Sequence, residues 1–420
     1  MRTQSSERPP VTVIGGGIVG LCCALSLLDK GRQVCIIDPM DETCRASYGN
    51  AGVISPWSCV PQAMPGVWKK IPYWLLDPNG PVSMQWSYLG TILPWALRFM
   101  RASGPVQAKR ISQAMAALQR SNIDLYRHHL KGTGCDDLLQ DSWYLQVFRE
   151  ANAIPLDSLA VQMREAQNAT MEVIDGGQLR EIEPEISTEY QSALVIKGQA
   201  RALSPGRLCQ VLTDKAQSMG ATVLKKTVQT IRPDDNGGWL LQAEGEQLST
   251  KKMVLAAGAW SGDLLKPLGV KVPLLSERGY HMMFKNPGIE LSHSVMDVER
   301  GFVVSSMEDG LRTAGTAEFA DLDAAANFKR ADVFEGLTQA LLPELKVDEL
   351  SRWMGIRPSL PDSLPCIGEV PNCSNLYVAF GHSHYGLGMA PGTGELTAEL
   401  INGDKPTIDP WPYRINRFER

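Results

Sequence analysis

The chain has 420 residues, more than one ordinary small domain holds, so two domains or one large one are expected. Its 44% hydrophobic and 21% charged content is that of a globular chain and excludes a disordered one. The 41 basic residues against 46 acidic ones give a net charge of −5, with no basic run longer than a pair, which argues against a nucleic-acid partner.

Val11 to Leu28 is a run of 18 uncharged positions, close to the length of a membrane span. Gly15, Gly16, Gly17 and Gly20 fall inside it, and they suit a strand–turn–helix better. The spacing predicts a buried parallel strand over 11–15, a helix over 18–29 closed by Gly31, and a second buried strand over 33–37 ending at Asp38. In this βαβ unit Gly15 makes the tight turn, Gly17 lets a pyrophosphate reach the backbone, and Gly20 lets helix and strand pack closely. Ile18 and Val19 open the helix, whose free N–H groups and positive dipole end face the phosphate. Asp38 is placed to accept hydrogen bonds from ribose hydroxyls. The unit is therefore read as a dinucleotide site.

Residues 56–95 hold five of the ten tryptophans, with prolines at 56, 61, 65, 72, 78, 81 and 94, and read as a packed irregular segment with short helices. One amphipathic helix is expected over 106–130, a strand over 143–149 and a helix over 206–219. Strands are expected over 222–224, 228–231 and 239–243, with a hairpin turn at Asn236-Gly237-Gly238. A buried strand over 252–256 runs into Ala257-Gly258-Ala259-Trp260. A last strand over 376–380 runs into the Gly381–Gly388 turn and a helix over 393–401. The nine cysteines are an odd number with no Cys-x-x-Cys pair, so they read as buried free thiols rather than a disulfide framework. The six histidines lack metal-ligand spacing, His128 and His129 are expected in solvent, and no metal site is expected.

Small-residue turns recur far from the first one, which favours FAD over a nicotinamide. They are Ser47, Asn50, Ala51 and Gly52 after the second strand, the turn at Ala257, Gly258 and Trp260, and Gly386, Leu387, Gly388 and Met389 before the last helix. A second helix N-terminus there would stabilise the negative charge of a reduced flavin. Val228 is counted with these cofactor-contacting positions.

These pieces resemble a known family. "VIGGGIVG" at 13–20, "SYGNAGVISP" at 47–56, "AAGAWS" at 256–261, "ERGYH" at 277–281, "GTAEF" at 315–319, "WMGIRPSLPDSLPCIG" at 353–368 and "GHSHYGLGMAPGTGELTAELI" at 381–401 are similar to segments of the FAD-dependent D-amino-acid oxidase superfamily. The bacterial D-amino-acid dehydrogenases are the nearest branch. Where that family usually carries Glu after the second strand, this chain has the shorter Asp38. The resemblance implies an α/β (α+β overall) fold. A doubly wound Rossmann-like FAD domain would come from 1–60, 171–270 and 355–420, and an antiparallel-sheet substrate domain from 61–170 and 271–354.

It also implies a reaction: hydride transfer from the Cα of an amino acid, a D-amino acid with the D-proline type included, to flavin N5. The imine formed then hydrolyses to a 2-oxo acid. Arg357 in "GIRP" is the expected carboxylate handle, since a guanidinium grips carboxylate with two parallel bonds; the other reading is a structural ion pair. Tyr280 either hydrogen-bonds the same carboxylate or packs in the core. His384 and Tyr385 would shape the substrate pocket, with His384 a candidate base that the reaction does not strictly need. FAD is expected to be non-covalent, because the 381–388 turn lacks cysteine, although Cys366 lies near the last strand. Electrons would pass to a quinone or another acceptor. The alternatives are an O₂-using glycine or sarcosine oxidase type, and a flavin relay subunit of a hetero-oligomer, which would need no carboxylate clamp. A cytoplasmic location is expected, with peripheral contact to the inner membrane face through 86–100. That segment is apolar, interrupted by Pro94, and lies near Lys69, Lys70, Arg98 and Arg101. The other reading is that its aromatics roof the flavin pocket. The sequence leaves oligomeric state open.

Overall fold

The computed structural model describes residues 10–77, 80–235 and 237–419, so Pro78 and Asn236 lie outside the described residues. The N-terminal unit forms as its pattern predicts: β1 (Val11–Ile14), α1 (Ile18–Asp29) and β2 (Val34–Asp38). β1 runs parallel to β2 on one side and to Lys252–Leu255 on the other. The sheet extends to Thr222–Lys225 beyond β2, to Leu376–Phe380 beyond Lys252–Leu255, and ends in the antiparallel edge Cys366–Glu369. Every residue of β1 and of Leu376–Phe380 is buried, because both faces of the sheet are covered. One face packs Val11 and Val13 with Leu21 and Leu25 of α1, Leu208 and Leu212 of helix Pro205–Ser218, and Ala390 of helix Gly386–Asn402. The other sets Ile37 and Met253 against Ile231, Trp239 and Leu241 of a three-stranded sheet, Val228–Pro233, Trp239–Ala243 and Glu246–Thr250.

A second, ten-stranded sheet lies beside this layer. Its order is Glu349–Ser359, Leu275–Lys285, Gly310–Phe319, Phe302–Met307, Ser294–Asp297, Leu139–Phe148, Ser192–Ala202 and Val53–Ile54. Val82–Met84 and Met171–Asp175 pair on its sides. Helix Lys329–Leu341 backs it, burying Phe334 and Leu341 against Tyr280, Met282 and Phe284.

The expected domain boundaries need correction here. Residues 53–54, 171–175 and 192–202 were assigned to the FAD layer but join the ten-stranded sheet, and Glu349–Ser359 crosses the boundary set at 354/355. Strand Ser192–Ala202 must follow its partners, since it pairs with both Leu139–Phe148 and Met171–Asp175. A buried strand pattern names no sheet, and pairing decides it.

Three helices also differ from expectation. The predicted 106–130 helix is two, Pro105–Gln119 and Asn122–Leu130, broken at Ser121, whose φ of −108° and ψ of 16° leave the helical basin. The C-terminal helix starts at Gly386 rather than 393 and runs through Pro391. Proline removes the donor that would bond the Leu387 carbonyl, and the Tyr126 hydroxyl donates to that oxygen instead at 2.7 Å. Pro94 likewise does not interrupt its segment but sits inside helix Leu89–Ala102. There the freed carbonyl belongs to solvent-exposed Gly90, where water can satisfy it.

Candidate active site

A cavity of about 1030 Å³ opens between the parallel sheet and the ten-stranded sheet. At one end it meets the glycine turn. Gly15 holds φ +108°, and a Cβ there would fall 2.4 Å from the Ala256 carbonyl oxygen. A Cβ on Gly20 would fall 1.9 Å from the Gly15 carbonyl oxygen, so this glycine closes helix onto strand and does not line the cavity. Gly17 is different. The nearest protein atom to its Cβ would be Ser47 Oγ at 3.6 Å, so a side chain would grow into the cavity.

α1 begins here without a side-chain cap on its N-terminus and with no acidic residue in its first turn. Gly15, Gly17, Ile18 and Val19 all face the cavity. An uncapped helix end behind a glycine-lined opening fits the pyrophosphate of a dinucleotide. Ser47 Oγ accepts from Ile18 N at 3.1 Å and ties the 47–52 loop to the same end. Asp38 lines the cavity, but both its oxygens have protein partners. Oδ2 accepts from Gly16 N at 2.5 Å, and Oδ1 from Met40 N and Arg45 Nη2, each at 2.7 Å.

The other expected cofactor positions divide. Asn50, Ala51, Val228, Ala257, Gly258, Trp260, Gly386, Leu387 and Gly388 line the cavity. Gly52 and Met389 do not: Gly52 takes φ +80° with its Cα against the Ala202 carbonyl, and Met389 is fully buried in a helix-packed core. Helix Gly386–Asn402 also starts at the cavity without a side-chain cap, giving the second positive helix end. The residues present thus fit FAD: the Gly15–Val19 turn would hold its phosphates and the Gly386 helix end would lie towards its ring.

The far end of the cavity carries the chemistry-bearing side chains. Arg357 and Glu277 are direct cross-strand partners, and Arg357 Nη1 donates to Glu277 Oε1 at 2.8 Å and to the Thr316 carbonyl at 3.2 Å. Ser359 Oγ donates to the other Glu277 oxygen at 2.5 Å. Burial would push the Glu277 carboxyl up, but the adjacent Arg357 charge and these hydrogen bonds hold it below its ordinary value. The guanidinium lies over Gly279, where a Cβ would come within 2.2 Å of Nη2, so only glycine admits it. Among the described residues its Nε and Nη2 take no hydrogen bond, and Arg357 lines the cavity.

Tyr280 does not offer its hydroxyl as expected. It is 1% exposed, packs in the helix-backed core, donates to Glu318 at 2.5 Å and accepts from Asn327 N at 3.0 Å. Alternation along the strand explains this: Glu277 and Gly279 point to one face and the Tyr280 ring to the other, so Tyr280 borders the cavity without turning its hydroxyl into it. Arg278, on that same face, is fully buried and donates to the carbonyls of Asp321, Ala324 and Ala325.

His384 and Tyr385 both line the cavity. His384 is exposed to the cavity, but the protein packed around it desolvates it and holds it down to about 4, with Glu277 pulling the other way. It is therefore neutral at pH 7. Gln62 Nε2 lies 3.0 Å from Nδ1, and with the amide donating, the ring proton sits on Nε2. Tyr385 donates to the Val60 carbonyl at 2.7 Å, and burial pushes its phenol up.

Several residues at the site were not singled out from sequence. Arg312 donates to the carbonyls of Tyr48 and Asn50 at 3.0 and 2.7 Å, and His281 Nδ1 lies 3.1 Å from the Gly49 carbonyl, so together they fix the 47–52 loop. Trp353 stacks on His281 with ring centroids 5.1 Å apart. Tyr144 and Arg164 complete the far wall. Two of these lay inside quoted motifs: His281 in "ERGYH" and Trp353 in "WMGIRP". Cys366 is buried in its strand and bonded by Arg417, facing away from the cavity. The cysteines are all free, but Cys44 is exposed rather than buried. His129 also departs from expectation: it is 3% exposed, and with His128 it gathers on Asp29, outside the cavity lining.

Comparison with known proteins agrees with this geometry. A family model described as FAD dependent oxidoreductase matches residues 10–400. A D-amino-acid oxidase of Bradyrhizobium diazoefficiens is 33% identical over 416 residues, 97% of this chain and 98% of that protein. Among solved structures, glycine oxidase from Geobacillus kaustophilus is similar with a TM-score of 0.73 at 21% identity, covering 98% of this chain and 99% of its own. L-proline dehydrogenase from P. horikoshii gives 0.71 at 19% identity, covering 99% and 98%. At those identities the two structures speak for the fold.

Proposed function

The chain belongs to the FAD-dependent oxidoreductase family, and we propose that it oxidises a D-amino acid to the imine, which hydrolyses to a 2-oxo acid and ammonia. The observation that carries this reading is Arg357. Its guanidinium lies on the cavity wall over Gly279, held at one corner by Glu277, with Nε and Nη2 left for a carboxylate. FAD, held by the Gly15–Val19 turn and the Gly386 helix end, would supply the two-electron acceptor.

The protein's own task is orientation. Arg357 fixes the carboxylate, and Glu277 fixes Arg357, so the Cα–H direction is set before reaction. His384 stays neutral and shapes the pocket. A group held near 4 is poorly matched to proton abstraction at pH 7–8, so the substrate amine would lose its proton to water.

For the electron acceptor, a quinone is the favoured reading and O₂ the alternative. Helix Leu89–Ala102 supports the first. It buries Trp95 and Phe99, yet leaves Leu89, Leu93, Leu97 and Met100 exposed at helical spacing. Trp86, Tyr73 and Leu76 are further apolar side chains left 77–82% exposed. Residues 51–119 hold six basic side chains and only one acidic one, Asp77, in a chain of net charge −5. An exposed apolar stripe in basic surroundings suits an anionic lipid surface, where a quinone would be met. Among the described residues no helix is long and apolar enough to cross a membrane. Trp95 and Phe99 pack inward in a hydrophobic core, and no residue of 86–100 lines the cavity, so these aromatics do not roof it.

The test is product analysis on FAD-loaded protein. D-Amino acids should yield 2-oxo acid and ammonia faster with a quinone than with air alone. Absence of 2-oxo acid from any amino acid with either acceptor would reject the reading.

A further inference from the structure

Arg164 sits in the last turn of helix Leu159–Glu165 and lines the same cavity as Arg357. Among the described residues its guanidinium has no carboxylate within ion-pair distance and takes no hydrogen bond, whereas Arg357 is paired with Glu277. The ionisable groups that act on it are Cys59, Tyr144 and Tyr385. Burial raises all three, so each is neutral at pH 7. Arg164 is half-buried, its open part belongs to the cavity it lines, and the protein around it pushes its pKa down. A protein seldom turns a half-buried guanidinium into a cavity without a partner, because the charge is costly there. The partner missing from the protein is then supplied by what enters the cavity.

Charge matching narrows the chemistry. The Arg357–Glu277 pair is neutral as a unit, and so is an amino-acid zwitterion. A simple amino acid binding as its zwitterion at Arg357 therefore leaves the Arg164 charge unmatched in the binding step, before its amine loses a proton. Tyr385 lies between the two arginines electrostatically, since its phenol responds to both Glu277 and Arg164. The second cation thus faces the same enclosed space. We infer that Arg164 is a specificity residue that binds a second carboxylate, carried on the side chain or the nitrogen of the amino-acid substrate. This rests on the proposed amino-acid reaction and narrows its substrate class to acidic amino acids.

A titration without turnover tests it. FAD-loaded protein is titrated calorimetrically with succinate against butyrate, and with glutarate against pentanoate. The dicarboxylate should bind roughly 10- to 200-fold more tightly than the monocarboxylate of equal length, the range a charge-assisted hydrogen bond supports. In Arg164→Gln that advantage should vanish, and in Arg164→Lys part of it should remain. Equal affinities in the wild type, no dicarboxylate binding, or an advantage that survives Arg164→Gln would each overturn the inference. Because none of the four ligands is an amino acid, the outcome does not depend on whether amino acids are oxidised.

Discussion

Arg357 and Glu277 face each other across adjacent antiparallel strands, with guanidinium and carboxylate 2.8 Å apart and a glycine beneath the guanidinium. The pair joins both readings of Arg357, because a structural ion pair also aims the free edge of the fork. Arg357→Ala should lower kcat/KM roughly 10- to 200-fold, the worth of a charged hydrogen bond. Arg357→Lys should fall too, since an ammonium cannot reproduce the fork. Steady-state kinetics of both variants check this, and unchanged values in both would move the carboxylate contact elsewhere.

His384 should behave as a neutral wall. Held down to about 4, it is deprotonated throughout the range above pH 5.5, so it contributes no titrating limb between pH 6 and 8. The profile of kcat/KM for His384→Asn should keep the wild-type shape over that range, with a fall of at most about tenfold. A base would instead cost about 10²- to 10⁴-fold and take a limb of the profile with it.

How much of this was legible in the sequence follows from the kind of signal each part carries. The N-terminal unit is local, and its strand, glycine turn and helix appear within a residue of the pattern. Arg357 could be picked out because a motif marked it. For Tyr280 carboxylate contact and core packing both stayed open, because the strand's facing was unknown; Glu277, three residues away, holds the pocket side. Arg164 carries no local signal. Its role depends on having no partner, and that is visible only once the cavity is assembled. Pro94 predicted a break and the last helix was expected only from 393, but solvent at Gly90 and the Tyr126 hydroxyl at Leu387 satisfy the carbonyls that Pro94 and Pro391 free.

Glu183 makes stability depend on pH. It is 1% exposed, and burial pushes its carboxyl up to about 7, although the backbone N–H groups of His293 and Ser292 donate to it. The folded state binds this proton more tightly than the unfolded state, so the stabilisation is fully present below about pH 4. It is lost as pH rises towards 7, and above that the buried charge is a constant cost of up to about 3 kcal/mol. Glu183→Gln should therefore melt above the wild type at pH 8, with the gap narrowing below pH 5. A constant or reversed gap in thermal melts would contradict the assignment.

The exposed stripe on helix Leu89–Ala102 predicts binding to lipid vesicles. The protein should sediment with anionic vesicles at low salt and less so at high salt, while Leu93→Glu with Leu97→Glu stays in the supernatant with its flavin. Wild-type protein that never sediments would remove the membrane from the account.

The central claim is that this cavity oxidises D-amino acids on bound FAD, and the visible spectrum of the FAD-loaded protein tests it most directly. Under anaerobic conditions D-amino acids should bleach the flavin band, with the L-enantiomers leaving it unchanged. On admitting air the colour should return slowly, and quickly once a quinone is added. A band untouched by every amino acid of either hand would contradict the account, whatever the flavin content.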